Sequence, residues 1–278
     1  MSNDFQVLGL CRTQVGDATV TALTDCVVPF DQEILILPDG ADASSSEYRT
    51  SGHVSINAFL VQTGAHTVLI DSGFGHEGKG STGELLEKLA EVGVASGDIT
   101  AVLLTHLHVD HVAGIVDDCG RPQFPNAQLV LHSEEYGFWI DGAEQVPDSQ
   151  LNHREAALRV TAYGDRLSLR SGGEVVPGIE MLPLPGHTPG HSGYLIGHGD
   201  ERLVIWGDII HQPTLQFANP DIRVVFDVNA DEAERTRVAL FERVIAEGLR
   251  VAGLHFDQPA FGRLSRTGEG RYLFHPER

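Results

Sequence analysis

A run of four potential metal ligands, His106-Leu107-His108-Val109-Asp110-His111, follows directly on the apolar stretch Ala101-Val102-Leu103-Leu104-Thr105. A buried strand that empties into imidazoles and a carboxylate constrains the fold strongly. Divalent ions such as zinc take imidazole nitrogens and carboxylate oxygens in a compact shell, and a catalytic shell keeps one position open. The loop must therefore lie where other segments bring further ligands to the same place. Side chains two apart on an extended or tightly turning segment point the same way. His106 and His108 are thus predicted to face one ion, and Asp110 and His111, displaced along the turn, a second. The plainer reading is a run of surface histidines in a chain that has 14.

Three downstream segments supply more ligands of the same kind. Pro185-Gly186-His187-Thr188-Pro189-Gly190-His191 sets His187 in a Gly/Pro-punctuated loop, where backbone can approach an ion closely. Leu203-Val204-Ile205-Trp206-Gly207-Asp208 reads as a strand ending in a carboxylate, and Val251-Ala252-Gly253-Leu254-His255 as a strand ending in a histidine. Taken singly, Asp208 could cap a helix and His255 could be a core histidine. Together with the first cluster they complete two shells.

These seven positions resemble the metallo-β-lactamase fold superfamily, whose dinuclear hydrolases use H-x-H-x-D-H, then a histidine, a bridging aspartate and a final histidine. The resemblance implies that His106, His108 and His187 hold a first metal and that Asp110, His111 and His255 hold a second. Asp208 would bridge them, and a water or hydroxide would sit between ions roughly 3.5–4 Å apart. It also implies an α/β fold, an αββα sandwich of two similar halves with the metal site at the sheet edge, in a single domain over residues 1–278. Two divalent ions are expected, zinc first, with manganese, iron and cobalt equally suited to these ligands.

Further stretches are similar to the methyl parathion hydrolase group of that superfamily: Ser55 to Gly64, Val68 to Gly73, Tyr136 to Trp139, Leu215 to Pro220 and Gly268 to Phe274. Departures narrow the resemblance. Acyl-homoserine lactonases carry a catalytic tyrosine three residues after the bridging aspartate, where this chain has His211. β-Lactamases proper lack the bridging carboxylate that Asp208 supplies, and flavodiiron proteins place a glutamate where His108 stands.

No G-x-S-x-G elbow is present, in keeping with a nucleophile drawn from metal-bound water. Asp110 and Asp208 are the expected catalytic carboxylates, Asp110 passing a proton to the leaving group. Asp71, at the end of Leu69-Ile70-Asp71-Ser72-Gly73, is the expected partner that orients a ligand histidine; a turn aspartate is the alternative. Phe138, Trp139, His211 and Phe217 are the candidates for the substrate pocket. The leading function is hydrolysis of small neutral carboxylic esters or lactones, with phosphotriester hydrolysis as the near alternative. An iron-dependent sulfur oxygenase and a non-catalytic metal-binding protein are the alternatives from other classes.

Composition excludes several partners. A net charge of −20 disfavours nucleic acid, whose binding needs clustered Lys and Arg. No 18-residue apolar run exists to span a membrane, and Met1 to Gln6 lacks the basic and apolar regions of a signal peptide, so a cytoplasmic location is expected. Cys11, Cys26 and Cys119 are few and far apart, which suggests reduced core residues. A small-molecule substrate and a homodimer complete the expectations, the dimer from resemblance and the prevalence of symmetric pairs.

Periodicity predicts strands at Ala18–Leu23, at the Ile56 and Val68 runs with a hairpin turn at Gly64-Ala65, at Val102–Thr105, Ile179–Leu184, Tyr194–Ile196 and Leu203–Trp206. Ser81 and Glu84 read as a capping box opening a helix that ends at Gly93. A second helix runs from Asp231 through Val238, Phe241 and Ile245. The polar stretch Asp42 to Glu47 reads as a surface loop; the resemblance, which sets the corresponding region near the pocket rim, implies a candidate lid.

Overall fold

In the computed structural model, which describes residues 9–42, 45, 48–75, 83–142, 153–268 and 270–277, two seven-stranded sheets carry the architecture. In chain order the strands of the first half are β1 (Leu10–Val15), β2 (Ala18–Pro29), β3 (Leu35–Ile36), β4 (His53–Gln62), β5 (Thr67–Ile70), β6 (Ala101–Leu103), β7 (Gln128–His132) and β8 (Leu167–Arg170). Those of the second are β9 (Gly173–Val176), β10 (Ile179–Pro183), β11 (Ser192–His198), β12 (Glu201–Ile205), β13 (Arg223–Val224), β14 (Arg250–Ala252), β15 (Phe261–Gly268) and β16 (Arg271–Pro276). The first sheet runs β1-β2-β4-β5-β6-β7-β8 and turns parallel from β5 onward; the second runs β16-β15-β14-β12-β11-β10-β9 with one parallel pair, β12 with β14. β3 and β13 form a separate two-stranded ribbon.

The α-helices among the described residues are α1 (Leu85–Glu91), α2 (Val109–Val112), α3 (Ser133–Tyr136), α4 (His153–Thr161), α5 (Pro213–Gln216) and α6 (Ala230–Ala246). The period-2 side-chain alternation of the strands sorts the core into layers. Phe59, Val61, Val68, Ile70, Leu103 and Val130 face the second sheet, where Met181, Tyr194, Ile196, Leu203, Ile205 and Val251 meet them. Leu60, Leu69, Val102, Leu129 and Leu131 face the other way, onto Leu85 and Leu89 of α1 and Ala156 and Val160 of α4. The second sheet's cluster also includes Leu240, Phe241 and Val244 of α6. Both faces of the first sheet are covered, so its inner strands read as unbroken apolar runs. This is the expected αββα sandwich, and among the described residues no helix is long and apolar enough to cross a membrane.

The expected elements hold with shifts at their ends. The hairpin joining β4 and β5 turns at Gly64-Ala65, closed by Thr63 N–H donating to His66 O at 2.9 Å. α6 starts at Ala230, capped by Asn229, whose side chain accepts from Glu232 N–H. The strand expected through Thr105 stops at Leu103, because Thr105 N–H turns to the carboxylate of Asp71. Ser81 lies outside the described residues, as do four positions of the Asp42–Glu47 stretch, and Glu84 makes no side-chain cap. Asp25 caps α1 from a distance instead: its buried carboxylate accepts from Leu85 N–H and Phe74 N–H, both at 3.0 Å.

Burial lifts the Asp25 carboxyl from 3.8 to about 6 against the pull of those two hydrogen bonds. The folded chain therefore holds this proton more tightly than the unfolded one. The stability it confers is complete below pH 3.8, is lost as pH rises through about 6, and amounts to about 3 kcal/mol at ~1.4 kcal/mol per pH unit. Denaturant titrations of metal-free protein between pH 4 and 7 should show wild type losing that much more than Asp25→Asn. Parallel profiles would refute the assignment.

Candidate metal centre

The end of the first sheet is a scaffold for ligands. Asp71, one residue past β5, is the only described non-glycine residue with positive φ, +56°. Aspartate tolerates this left-handed conformation through its short polar side chain. The turn aims its carboxylate across the adjacent parallel strand, where it accepts from Thr105 N–H and Thr105 Oγ1–H at 2.7 Å and from His111 Nδ1–H at 2.8 Å. With its own proton committed to Asp71, Thr105 Oγ1 accepts from His106 Nδ1–H at 3.0 Å. One carboxylate thus sets the tautomer of two histidines and turns both Nε2 lone pairs inward.

The seven expected ligands converge. His106 Nε2, His108 Nδ1 and His187 Nε2 meet with His108 Nδ1 at 2.9 Å from each of the other two. Asp208 Oδ2 faces this set, at 3.2 Å from His187 Nε2 and 3.6 Å from His106 Nε2. Its Oδ1 faces the other set, at 3.2 Å from His111 Nε2 and 3.1 Å from His255 Nε2. Asp110 Oδ2 lies 3.4 Å from His111 Nε2 and 3.8 Å from His255 Nε2. Asp110 and His111 sit on the short helix α2, which carries them around to the second set.

This arrangement fits a metal on its own chemistry. His111 Nε2, His255 Nε2 and Asp208 Oδ1 are buried without a hydrogen-bond partner. Leaving such atoms unpaired costs about 1–3 kcal/mol each, more for a charged group, and a cation removes that cost. The donors are all imidazole nitrogen and carboxylate oxygen, within ligating reach of one another. Burial alone would raise Asp208, but the imidazoles of His111, His255 and His106 outweigh it and hold its carboxyl well below the usual range.

Four supports have no counterpart in the sequence reading. Asp227 Oδ1 accepts from His187 Nδ1–H at 2.8 Å, leaving His187 Nε2 for the cluster. His191 donates through Nδ1 to Leu184 O and accepts Asp208 N–H on Nε2, both at 2.8 Å. Burial, reinforced by the charge of His187, presses its pKa down to about 3, so it stays neutral and keeps that lone pair. Gly207, at φ +60°, makes room for it: a Cβ there would lie 2.3 Å from His191 Nε2. Asn57 grips the His255 loop, its Nδ2 donating to Phe256 O at 2.7 Å while its N–H donates to Leu254 O at 2.8 Å. Buried Glu135 spans the two ligand loops of the first set. His191 and Asn57 stood inside motifs already singled out; Asp227 and Glu135 carried no local signal.

The four pocket candidates separate. Trp139 is fully buried with its ring edge-on to His108 at 5.5 Å, and Phe138 packs behind it at 5.7 Å. His211 lies inside the cluster, Nε2 3.1 Å from Asp208 Oδ2 and its ring stacked on His255 at 5.2 Å. Together with Asp208 and His255 it forms a third ligand-competent group. Phe217 is a core residue instead of a pocket wall: it is 4 % exposed and stacks on Phe274 at 5.5 Å among Trp206, Phe241 and Phe256. The apolar surface of its ring is satisfied by aromatic neighbours.

The layered fold and the converging imidazoles and carboxylates agree with one superfamily. The chain belongs to the metallo-beta-lactamase superfamily, whose family model matches residues 51–247, more than half of its length. His255 lies beyond the matched stretch. Among solved structures, a hydrolase called AbOPH of the beta lactamase superfamily is 31% identical, covers 98% of this chain and 99% of its own, and superposes with a TM-score of 0.86. AidC, a dizinc quorum-quenching lactonase, shares the fold at a TM-score of 0.87 with 24% identity, covering 97% of this chain and 98% of its own. An N-acyl homoserine lactonase of Bacillus cereus is 28% identical over 53% of this chain, and the match spans 60% of that curated relative's length.

Proposed function

We propose that this protein is a dinuclear metal-dependent hydrolase of small neutral carboxylic esters or lactones. The observation that carries the reading is the division of Asp208, one oxygen facing His106 and His187 and the other facing His111 and His255. A carboxylate so shared is suited to two cations, held by His106, His108 and His187 on one side and by Asp110, His111 and His255 on the other. Zinc suits these donors, as do manganese, iron and cobalt. Two cations bound by these residues would supply acidity to a water and draw electrons from a carbonyl or phosphoryl oxygen.

The chain's residues do the rest. Asp110 is the most open carboxylate of the cluster, its side chain 19 % exposed against 3 % for Asp208. With Oδ2 turned to His111 and His255, Asp110 is the carboxylate placed to take a proton from the attacking water and pass it to the leaving oxygen. His211 stands where the lactonase tyrosine stands and presents Nε2 beside the bridging carboxylate, placed to hydrogen-bond a substrate oxygen. Trp139 backs His108 and keeps water from that side. The net charge of −20 disfavours anionic substrates and favours neutral ones.

Phosphotriester hydrolysis is the second reading, favoured by the stretches Leu215 to Pro220 and Gly268 to Phe274 that are similar to the methyl parathion hydrolase group. An aryl ester, a lactone and a dialkyl aryl phosphate, assayed on protein of known metal content, separate the two. The expected order is ester or lactone well above phosphate. Turnover of the phosphate alone would overturn the leading reading.

A further inference from the structure

Glu135, in α3, has no exposed surface and lies outside both ligand sets, yet it touches the loops that carry all three histidines of the first. Its Oε1 accepts from Leu107 N–H at 3.0 Å and from the indole N–H of Trp139 at 2.6 Å. Its Oε2 accepts from Thr188 Oγ1–H at 2.6 Å and from Gly190 N–H at 3.1 Å. Leu107 stands between His106 and His108, Thr188 follows His187, and the Trp139 ring abuts His108. The fit is close: a Cβ on Gly190 would lie 2.1 Å from Glu135 N. The second set is held by other groups, His111 by Asp71 and His255 by Ser55 O.

We propose that Glu135 is a positioning residue for the first metal site alone, locking the His106–His108 loop to the His187 loop through four converging donors. The proposal rests on the dinuclear reading above. A carboxylate suits the position because two donors reach each oxygen, which an amide, with one acceptor, cannot match. Burial raises its carboxyl to about 6 despite the four bonds, in keeping with a group placed there for geometry at some cost. Loosening the lock separates the His187 loop from the other two histidines and leaves Asp110, His111 and His255 in place.

The test is stepwise metal release. Wild type, Glu135→Gln, Thr188→Val and His108→Ala are loaded with cobalt, and metal per chain is followed by elemental analysis and visible absorption along a chelator gradient. Wild type should release two equivalents in two steps, and His108→Ala marks the step belonging to the first site. In Glu135→Gln that step should move to about 10–100-fold weaker binding, the scale for partners of metal ligands, while the other stays put. Thr188→Val should move the same step by less, and it keeps the test in force where Glu135→Gln fails to fold. Equal weakening of both steps, or no movement of either, overturns the proposal while the dinuclear reading stands. A single equivalent in wild type overturns both.

Discussion

Asp208→Ala should bind no pair of metals and should lose hydrolysis by at least about 10³-fold, the scale of removing one major electrostatic group from an active site. The expectation follows from position. Asp208 faces the nitrogens of His106, His111, His187, His211 and His255, all within 3.6 Å, and among the described residues no other carboxylate has such contacts to both ligand sets. Removing it leaves the His106, His108 and His187 set without a carboxylate and the second set with Asp110 alone. His106→Ala should fail likewise, because it deletes one of three converging nitrogens and releases Thr105 Oγ1 from its partner. Elemental analysis beside turnover measurements checks both variants. Activity retained in either, at wild-type metal content, would refute the site.

Asp71→Asn should weaken metal binding by about 10–100-fold, as loss of an orienting partner does. Asparagine accepts the left-handed backbone at φ +56° as readily as aspartate, so the effect isolates the carboxylate. Asp71 accepts three hydrogen bonds with two charged oxygens, from Thr105 N–H, Thr105 Oγ1–H and His111 Nδ1–H. The amide offers one oxygen, and its NH₂ must face a donor. His111 loses its fixed tautomer, and His106 loses the same control one bond further out through Thr105. Both sites should weaken together, in contrast with Glu135→Gln, where one does. Chelator titration distinguishes the two patterns, and an Asp71→Asn profile matching wild type would contradict the relay.

The converging side chains were legible because each is written beside its scaffold: His106 and Asp208 each shortly after an apolar strand, His187 in a Gly/Pro loop. Local sequence shows where a side chain leaves a strand, and the layered fold brings those ends to one edge. Its supports were hidden for the complementary reason. Asp227 and Glu135 act across 40 and 28 or more residues of chain, in segments whose own pattern marks nothing. Capping of α1 shows the same limit: Ser81 and Glu84 carry the local signature, yet a carboxylate 60 residues away makes the bond to Leu85. Phe217 misled because an aromatic residue near a motif is equally suited to a pocket or a core. Only packing against Phe274, Trp206 and Phe241 decides between them.

Metal stoichiometry measured on the active protein tests the central claim most directly. Purified wild-type chain, assayed by elemental analysis alongside ester and lactone turnover, should hold two divalent ions and lose activity as the pair is removed. One iron per chain, or hydrolysis that persists after both ions are stripped, would contradict it; the first result would revive the iron-dependent oxygenase reading.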